Sequence, residues 1–377
     1  PAGRRFIAIT DPGSPLVALA REEGFDRTFE GNPLIGGRFS VLSAYGLLPT
    51  VMAGFNVTKL LSSATAMAAE CQTAPDLQRN PGAVLGAFMA ACSDGGRDKM
   101  TVYASPTIAS FGIWGEQLIA ESLGKEGRGI VPVVGEPLLP VKNYRDDRAF
   151  IYLRLEGDDN AQLDVHSERV AAEGHPVVRM DLPDIHALGA ELFRWEFAVA
   201  AAGFLIDVQP FDEPNVQSAK DATAAALRNF EQSGDVRGPE ITTSIDSFLR
   251  ARMPGDYLAL LAYIRPTESV DWILQELRRT ITDRFGLVTT IGYGPRYLHS
   301  TGQLHKGGPR NGAFVQFIAD PASKLPIPGT NLTFGAVALA QANGDFAALE
   351  LADLPIIRMD LGFDPESGLL RTLARLK

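Results

Sequence analysis

An arginine, a carboxylate and a lysine that lie far apart in this chain form a set able to move a proton between neighbouring carbon atoms. Arg38 closes the GGR of IGGRFSVLSAYGLLPT (35–50). Gly36 and Gly37 permit a tight turn whose backbone N–H groups face one way. Such a turn can hold an anion, and Arg38 beside it can stabilise developing oxyanion charge. The competing reading is a surface arginine next to a turn. Glu121 lies in GEQLIAESLGKEGRG (115–129), with Gln117 four residues earlier on the same helix face. Ile113, Leu118 and Ile119 are placed to shield this helix from solvent. A partly shielded carboxylate has its pKa raised toward that of a useful base. The alternative is an ordinary solvated glutamate, and Glu116 and Glu126 are competitors close by. Lys220 ends FDEPNVQSAK (211–220). Asp212 is positioned to cap a helix starting at Pro214, which puts Lys220 about two turns in. A lone lysine on a helix is otherwise a solvated one.

The chain has five histidines. His175 stands in EGHPVV at the entry to an expected strand, whereas active-site loops of α/β folds gather at strand exits. His166 and His186 sit on polar, helix-like segments. His299 and His305 belong to GYGPRYLHSTGQLHKGGP (292–309), a segment dense in Gly, Tyr, His and Lys that follows a strand. It reads as functional, with a capping loop as the alternative. No spacing makes a metal site, and GxGxxG, GxxxxGK and GxSxG are all absent.

The elements that must position these residues alternate in type. Arg5–Thr10 reads as a buried strand, and DPGSP turns into a helix over Leu16–Glu23 that ends near Gly24. Thr101–Ser105, Ala149–Leu155 and Pro176–Asp181 read as strands. Helices are expected over Ile113–Leu123 and about Ile185–Phe204. After a polar stretch, QSGDVRGPE (232–240), the pattern resumes with a strand at Tyr257–Ile264 and a helix over about Glu268–Thr282. Strands follow near Leu287–Ile291 and Ala313–Ala319. This is α/β patterning with a mostly parallel sheet. PVVRMDL (176–182) recurs as PIIRMDL (355–361), and AFIYLRL (149–155) has an echo in AFVQFIAD (313–320). Two α/β units of related construction are one explanation, and chance convergence on a buried strand is the other. The expected division is 1–230, carrying the candidate site, and 241–377.

A chain of 377 residues can bury one large core or two smaller ones. Its formal charge of −10 argues against nucleic-acid binding, which needs clustered Lys and Arg. One local positive pocket still suffices for a phosphorylated small molecule. The longest apolar run, Phe197 to Ile206, is too short to span a bilayer. Cys71 and Cys92 are the only cysteines, so no disulfide scaffold is expected and a reducing cytoplasm fits.

The ordered set ITDPGSPL, GGRFSVLSAYGLLP, AESLGK, GHPVVRMD and FDEPNVQSAK resembles the glucose-6-phosphate isomerase family. The remainder looks like the isomerase half of bifunctional transaldolase/phosphoglucose isomerase proteins. The resemblance implies sugar-isomerase (SIS) domains, which are doubly wound parallel sheets between helices, here one partial and one fuller. It implies a cytoplasmic enzyme of glycolysis and gluconeogenesis that works as a homodimer on glucose 6-phosphate and fructose 6-phosphate, without metal or redox cofactor. Glu121 would shuttle a proton between C1 and C2, and Arg38 would stabilise the cis-enediolate. Lys220 and His175 would assist ring opening. Gly37, Gln117, Glu213 and Lys220 would contact substrate.

Two departures from the family stand out. FDE replaces FDQ, so Glu213 brings a carboxylate where an amide could donate. The GSS-type and SKSGTT-type phosphate loops that precede TDP in the family have no counterpart ahead of Ile9, so a truncated chain is expected, with association of the N-terminal piece as another chain one option. The other function classes weighed are a non-catalytic sugar-phosphate-binding or assembly module, and transaldolase activity. The latter needs a Schiff-base lysine on a barrel strand, and no barrel pattern appears.

Overall fold

The computed structural model describes residues 2–215, 244–320 and 325–377. Lys220 and the 232–240 boundary lie outside the described residues.

The chain opens with a parallel pair, β1 (Ile7–Thr10) and β2 (Arg27–Glu30), joined by helix α1 (Pro15–Glu22). The expectation of a buried first strand is corrected here. Phe6 and Ile7 are exposed, and only Ala8 and Thr10 face inward, because a two-stranded pair with one covering helix leaves its other face open. Helices α2 (Ala44–Met52), α3 (Val57–Thr73) and α4 (Pro81–Asp94) follow.

Among the described residues that follow, the strands form two four-stranded parallel sheets. The first contains β3 (Lys99–Ala104), β4 (Val131–Val134), β5 (Arg148–Leu155) and β6 (Val177–Leu182), in the order β4-β3-β5-β6. Its helices are α5 (Phe111–Leu123), α6 (Ala161–Ala172) and α7 (Leu188–Leu205). The second contains β7 (Tyr257–Tyr263), β8 (Val288–Tyr293), β9 (Gly312–Ile318) and β10 (Ile356–Asp360), in the order β10-β9-β7-β8. Helices Glu268–Phe285, Gly302–Gly307, Phe334–Leu351 and Pro365–Leu376 belong to it.

Read from the opposite end, the second order is that of the first. In both sheets the second strand lies beside the first, and the chain then crosses over to the first strand's other side. Crossovers running in opposite directions, each right-handed, put helices on both faces. The alternation along β5 shows this. Ile151 and Leu153 join the core with Leu118 and Ile119 of α5, whereas Phe150 and Tyr152 pack with Val170 of α6. Strands buried on both faces need long apolar runs, which is why YLALLAY and AFIYLRL were readable as strands.

The sequence echo is structural. PVVRMDL and PIIRMDL supply β6 and β10, the last strand of each sheet. Their registers match as well: Phe150 faces Val177 and Tyr152 faces Arg179, just as Phe314 faces Ile356 and Gln316 faces Arg358.

A shared core joins the two sheets. Ala120, Val131 and Val133 pack with Tyr257, Ala259, Leu261, Tyr297 and Leu304. Buried Arg278 donates to the carbonyls of Val134 and Gly135, crossing the same seam. No helix among the described residues is long and apolar enough to cross a membrane.

Candidate active site

Four separate segments meet at the C-terminal end of α5. These are the 3-10 turn Gly37–Phe39, α5 itself, the stretch 209–215, and residues 296–307 of the second unit.

Arg38 is buried, not a surface group. Its Nε donates to Ser122 Oγ at 2.8 Å, and Nη2 donates to the carbonyls of Pro210 (2.9 Å) and Asp212 (3.0 Å). Nη1 donates to Glu213 Oε2 at 3.0 Å and stands 3.3 Å from Glu121 Oε1. Trp114 Nε1 donates to the Arg38 carbonyl at 3.2 Å and fixes the turn against α5. The expected nest is corrected: neither Gly36 nor Gly37 has a positive φ, and a Cβ at Gly37 would meet nothing. The site's anion-attracting feature is the guanidinium.

Glu121 is buried as well. Its Oε2 accepts from Gln117 Nε2 at 3.1 Å, so the i to i+4 pairing holds. Leu118 and Ile119 are fully buried beside it, whereas Ile113, about two turns earlier, is exposed. Burial raises the Glu121 carboxyl above its ordinary range. Arg38 and Gln117 pull it back down, and the like charge of Glu213 adds to the rise. Of its two competitors, Glu126 is exposed on a turn. Glu116 is pushed up to about 7 by burial, which Arg296 and Arg278 partly oppose, and it faces Ser300 Oγ at 3.5 Å.

Sequence reasoning missed Lys125. Its buried ammonium donates to the carbonyls of Gln209 and Asp212 and to Asp212 Oδ1 at 2.6 Å. Lys125 and Arg38 together hold the stretch that ends in Glu213. Asp212, expected as a helix cap, thus uses its carboxylate on Lys125. The available signal was the AESLGK segment itself, where Lys125 follows Glu121 by four residues. Glu213 bonds Arg38.

Gly124 lets the second unit approach. A Cβ there would lie 2.5 Å from Leu304 Cα. Gln303 Nε2 donates to the Gly124 carbonyl at 3.0 Å and to Asn215 Oδ1 at 2.8 Å, while its Oε1 accepts from the Asn215 N–H.

Arg38, Gln117, Glu121 and Glu213 are therefore brought together, with Gly37 on the adjoining turn. His175 is not brought to them. Its ring packs on Tyr144 and Phe150 at the entry to β6, where burial, Arg97 and Arg148 lower its pKa. Cavities of about 270 and 660 Å³ lie at the carboxyl ends of the strands, one in each unit, and neither is lined by Arg38 or Glu121. The arrangement can act as a desolvated, oriented base with a fixed positive charge on one oxygen.

No protein-family model matches the chain. Curated relatives do. The glucose-6-phosphate isomerase of Leptospira biflexa is 28% identical over 267 residues, covering 59% of this chain and 58% of its own length. That of Cyanothece sp. is 31% identical over 258 residues, covering 59% and 48%. The crystal structure of a hypothetical protein from Thermus thermophilus superposes with a TM-score of 0.52 at 25% identity, covering 60% of this chain and 63% of that one. The chain thus spans about half of the length of the curated relatives it matches. Across about three-fifths of its own length, this chain is a relative of the glucose-6-phosphate isomerases.

Proposed function

We propose that the chain carries the proton-transfer centre of an aldose–ketose isomerase interconverting glucose 6-phosphate and fructose 6-phosphate. The observation that supports this most is the Glu121 carboxylate, desolvated and oriented between Arg38 and Gln117. In the open aldose, Glu121 takes the proton from C2. The C–H electron pair forms the C1–C2 double bond, and the carbonyl pair moves to O1, where the charge of Arg38 favours the oxyanion. The O2 proton passes to O1, and collapse of the enediolate leaves a carbonyl at C2 as Glu121 returns its proton to C1. Four Arg38 N–H groups already donate to protein acceptors, and Nη1 also stands 3.3 Å from Glu121, so its charge acts over the contact with Glu121 unless Glu213 yields its place to substrate.

Lys220, outside the described residues, keeps its proposed role in ring opening. The reading makes the protein a cytoplasmic homodimer of glycolysis and gluconeogenesis, in need of no metal or redox cofactor. Conversion of fructose 6-phosphate to glucose 6-phosphate by the purified protein tests it. Glu121→Gln should lower kcat by about 10²–10⁴-fold while substrate still binds. A folded wild-type protein that binds the sugar phosphate without turning it over would favour a non-catalytic binding module.

A further inference from the structure

Ile113 is a large apolar side chain on the helix that carries Glu121, yet it is 49% exposed. It lines the cavity of about 660 Å³ in the first unit. That cavity opens at the carboxyl ends of β3 and β4, between Ser110 and Ile113 at the start of α5 and Asp159 and Gln162 at the start of α6. β4 and β5 flank β3, so the two crossovers part here, which is where open α/β sheets take their ligands. Small-molecule sites have volumes of about 300–1,000 Å³. The walls are largely apolar, with Val102, Val134, Leu138 and Leu163 beside Ile113. Two buried polar side chains, Tyr103 and Glu136, also line the cavity. The Tyr103 hydroxyl stands 2.8 Å from that of Tyr144 and 3.2 Å from His166 Nε2. Glu136 receives Arg148 on both oxygens, Nη1 on Oε1 at 3.3 Å and Nη2 on Oε2. A carboxylate has about four acceptor places, so each oxygen keeps one. Ser110, Asp159 and Gln162 are exposed at the mouth, and their side chains have no hydrogen-bond partner among the described residues.

We propose that this cavity binds a small neutral polyol, a free sugar of one or two rings, at a site separate from Glu121. The proposal goes beyond the isomerase reading and does not rest on it. At 1.5 Å per residue, Ile113 lies about 12 Å along α5 from Glu121. Charge decides against a sugar phosphate. No Lys, Arg or His lines the cavity among the described residues. The N-terminus of α5 offers about half a positive charge, and the carboxylate of Asp159 outweighs it. An ammonium ligand fares no better, because Glu136, the one buried carboxylate in the lining, is already neutralised by Arg148. A neutral polyol fits what remains. Its hydroxyls donate to Glu136, Asp159 and the Gln162 amide oxygen, and accept from Ser110 and the Gln162 amide nitrogen. The C–H faces of its ring pack on Val102, Val134, Leu138 and Leu163, taking their surface out of water.

The test follows the Ile113 methyl group by NMR in the full chain, labelled at isoleucine methyls, during titration with glucose, maltose and inorganic phosphate. The expected result is a saturable shift with glucose, maltose or both, half complete at about 1 mM or below, and none with phosphate. Ala109 lines the mouth and is exposed, so A109W leaves the core intact while placing a bulky ring across the opening. It should abolish the shift. Q162A should weaken sugar binding by about 2–10-fold, the cost of one hydrogen bond. No shift with either sugar up to about 50 mM would overturn the proposal. A larger shift with phosphate than with sugar would overturn the neutral ligand class. Unchanged sugar affinity in A109W would place the sugar elsewhere and overturn the site.

Discussion

Glu213 binds the same Arg38 nitrogen that faces Glu121: Nη1 stands 3.0 Å from Glu213 Oε2 and 3.3 Å from Glu121 Oε1. Two carboxylates therefore share one cationic nitrogen. One of them is buried, and the other is half-exposed at the mouth of the site.

Glu213→Gln should move the acid limb of the pH–rate profile to lower pH. The negative charge of Glu213 raises the Glu121 carboxyl, so its removal lets Glu121 ionise earlier. The base must be ionised to act, and the activity lost on acidification should then be lost later. A pH profile of kcat/KM for the two proteins checks this, and an unchanged acid limb would count against Glu121 as the titrating base.

Arg38→Lys should be costly although the charge is kept. One ammonium cannot replace bonds to Ser122, Pro210, Asp212 and Glu213 at once. Stability should fall by about 3–5 kcal/mol, in the range for breaking a buried charged network, and kcat/KM should fall at least tenfold. Chemical denaturation and steady-state kinetics read the two effects.

Gly124→Ala should separate the second unit from α5. The added methyl meets Leu304 backbone, not the end of a flexible side chain, so something must move. A loss of about 1–3 kcal/mol is expected for overpacking at such a contact. Hydrogen exchange should speed up in 296–307 and 209–215 before it does elsewhere. Uniform protection in the variant would refute the docking role.

Glu196→Gln should stabilise the protein, and increasingly so with rising pH. Glu196 lies on α7 with Oε1 lacking a partner among the described residues, and burial pushes its carboxyl up to about 8. The unfolded chain releases this proton near the ordinary carboxylate value and the folded protein holds it, so wild-type stability falls as pH climbs between the two. Glutamine removes that dependence. A gain of about 1–2 kcal/mol near pH 8, discounted for partial exposure, and almost none at pH 4 is expected from melting curves at both pH values.

The strands were readable because parallel strands covered on both faces must be mostly apolar, as YLALLAY and, Arg154 apart, AFIYLRL are. Helices α3, α4 and Phe334–Leu351 were not assigned. Their alanine-rich sequences place small apolar residues on every face and leave no 3.6-residue stripe to follow. Arg38, Glu121 and Gln117 were candidates by residue type and helix spacing, and the family resemblance supplied their roles and added Glu213. Their assembly was not legible, since Arg38 lies 84 residues from Ser122 and 175 from Glu213. Lys125 escaped notice because its partners, the carbonyls of Gln209 and Asp212 and the Asp212 carboxylate, lie 84 and 87 residues away. His175 drew attention through a motif neighbour, but the strand that follows it carries it away to an aromatic cluster.

The matching heptapeptides have a meaning beyond kinship between the units. Among the described residues, β6 and β10 are each an edge strand of their sheet, with one side of the backbone left without a neighbouring strand. Such an unpaired row invites another chain to add itself, and charge along the strand discourages it. Asp181 and Asp360 occupy the same place in the two copies, and both are exposed. On β6, Arg179 closes on Asp181 at 2.8 Å, covering the strand with an ion pair that an incoming chain would have to break. The repeated segment therefore carries its own protection against strand addition, once per sheet.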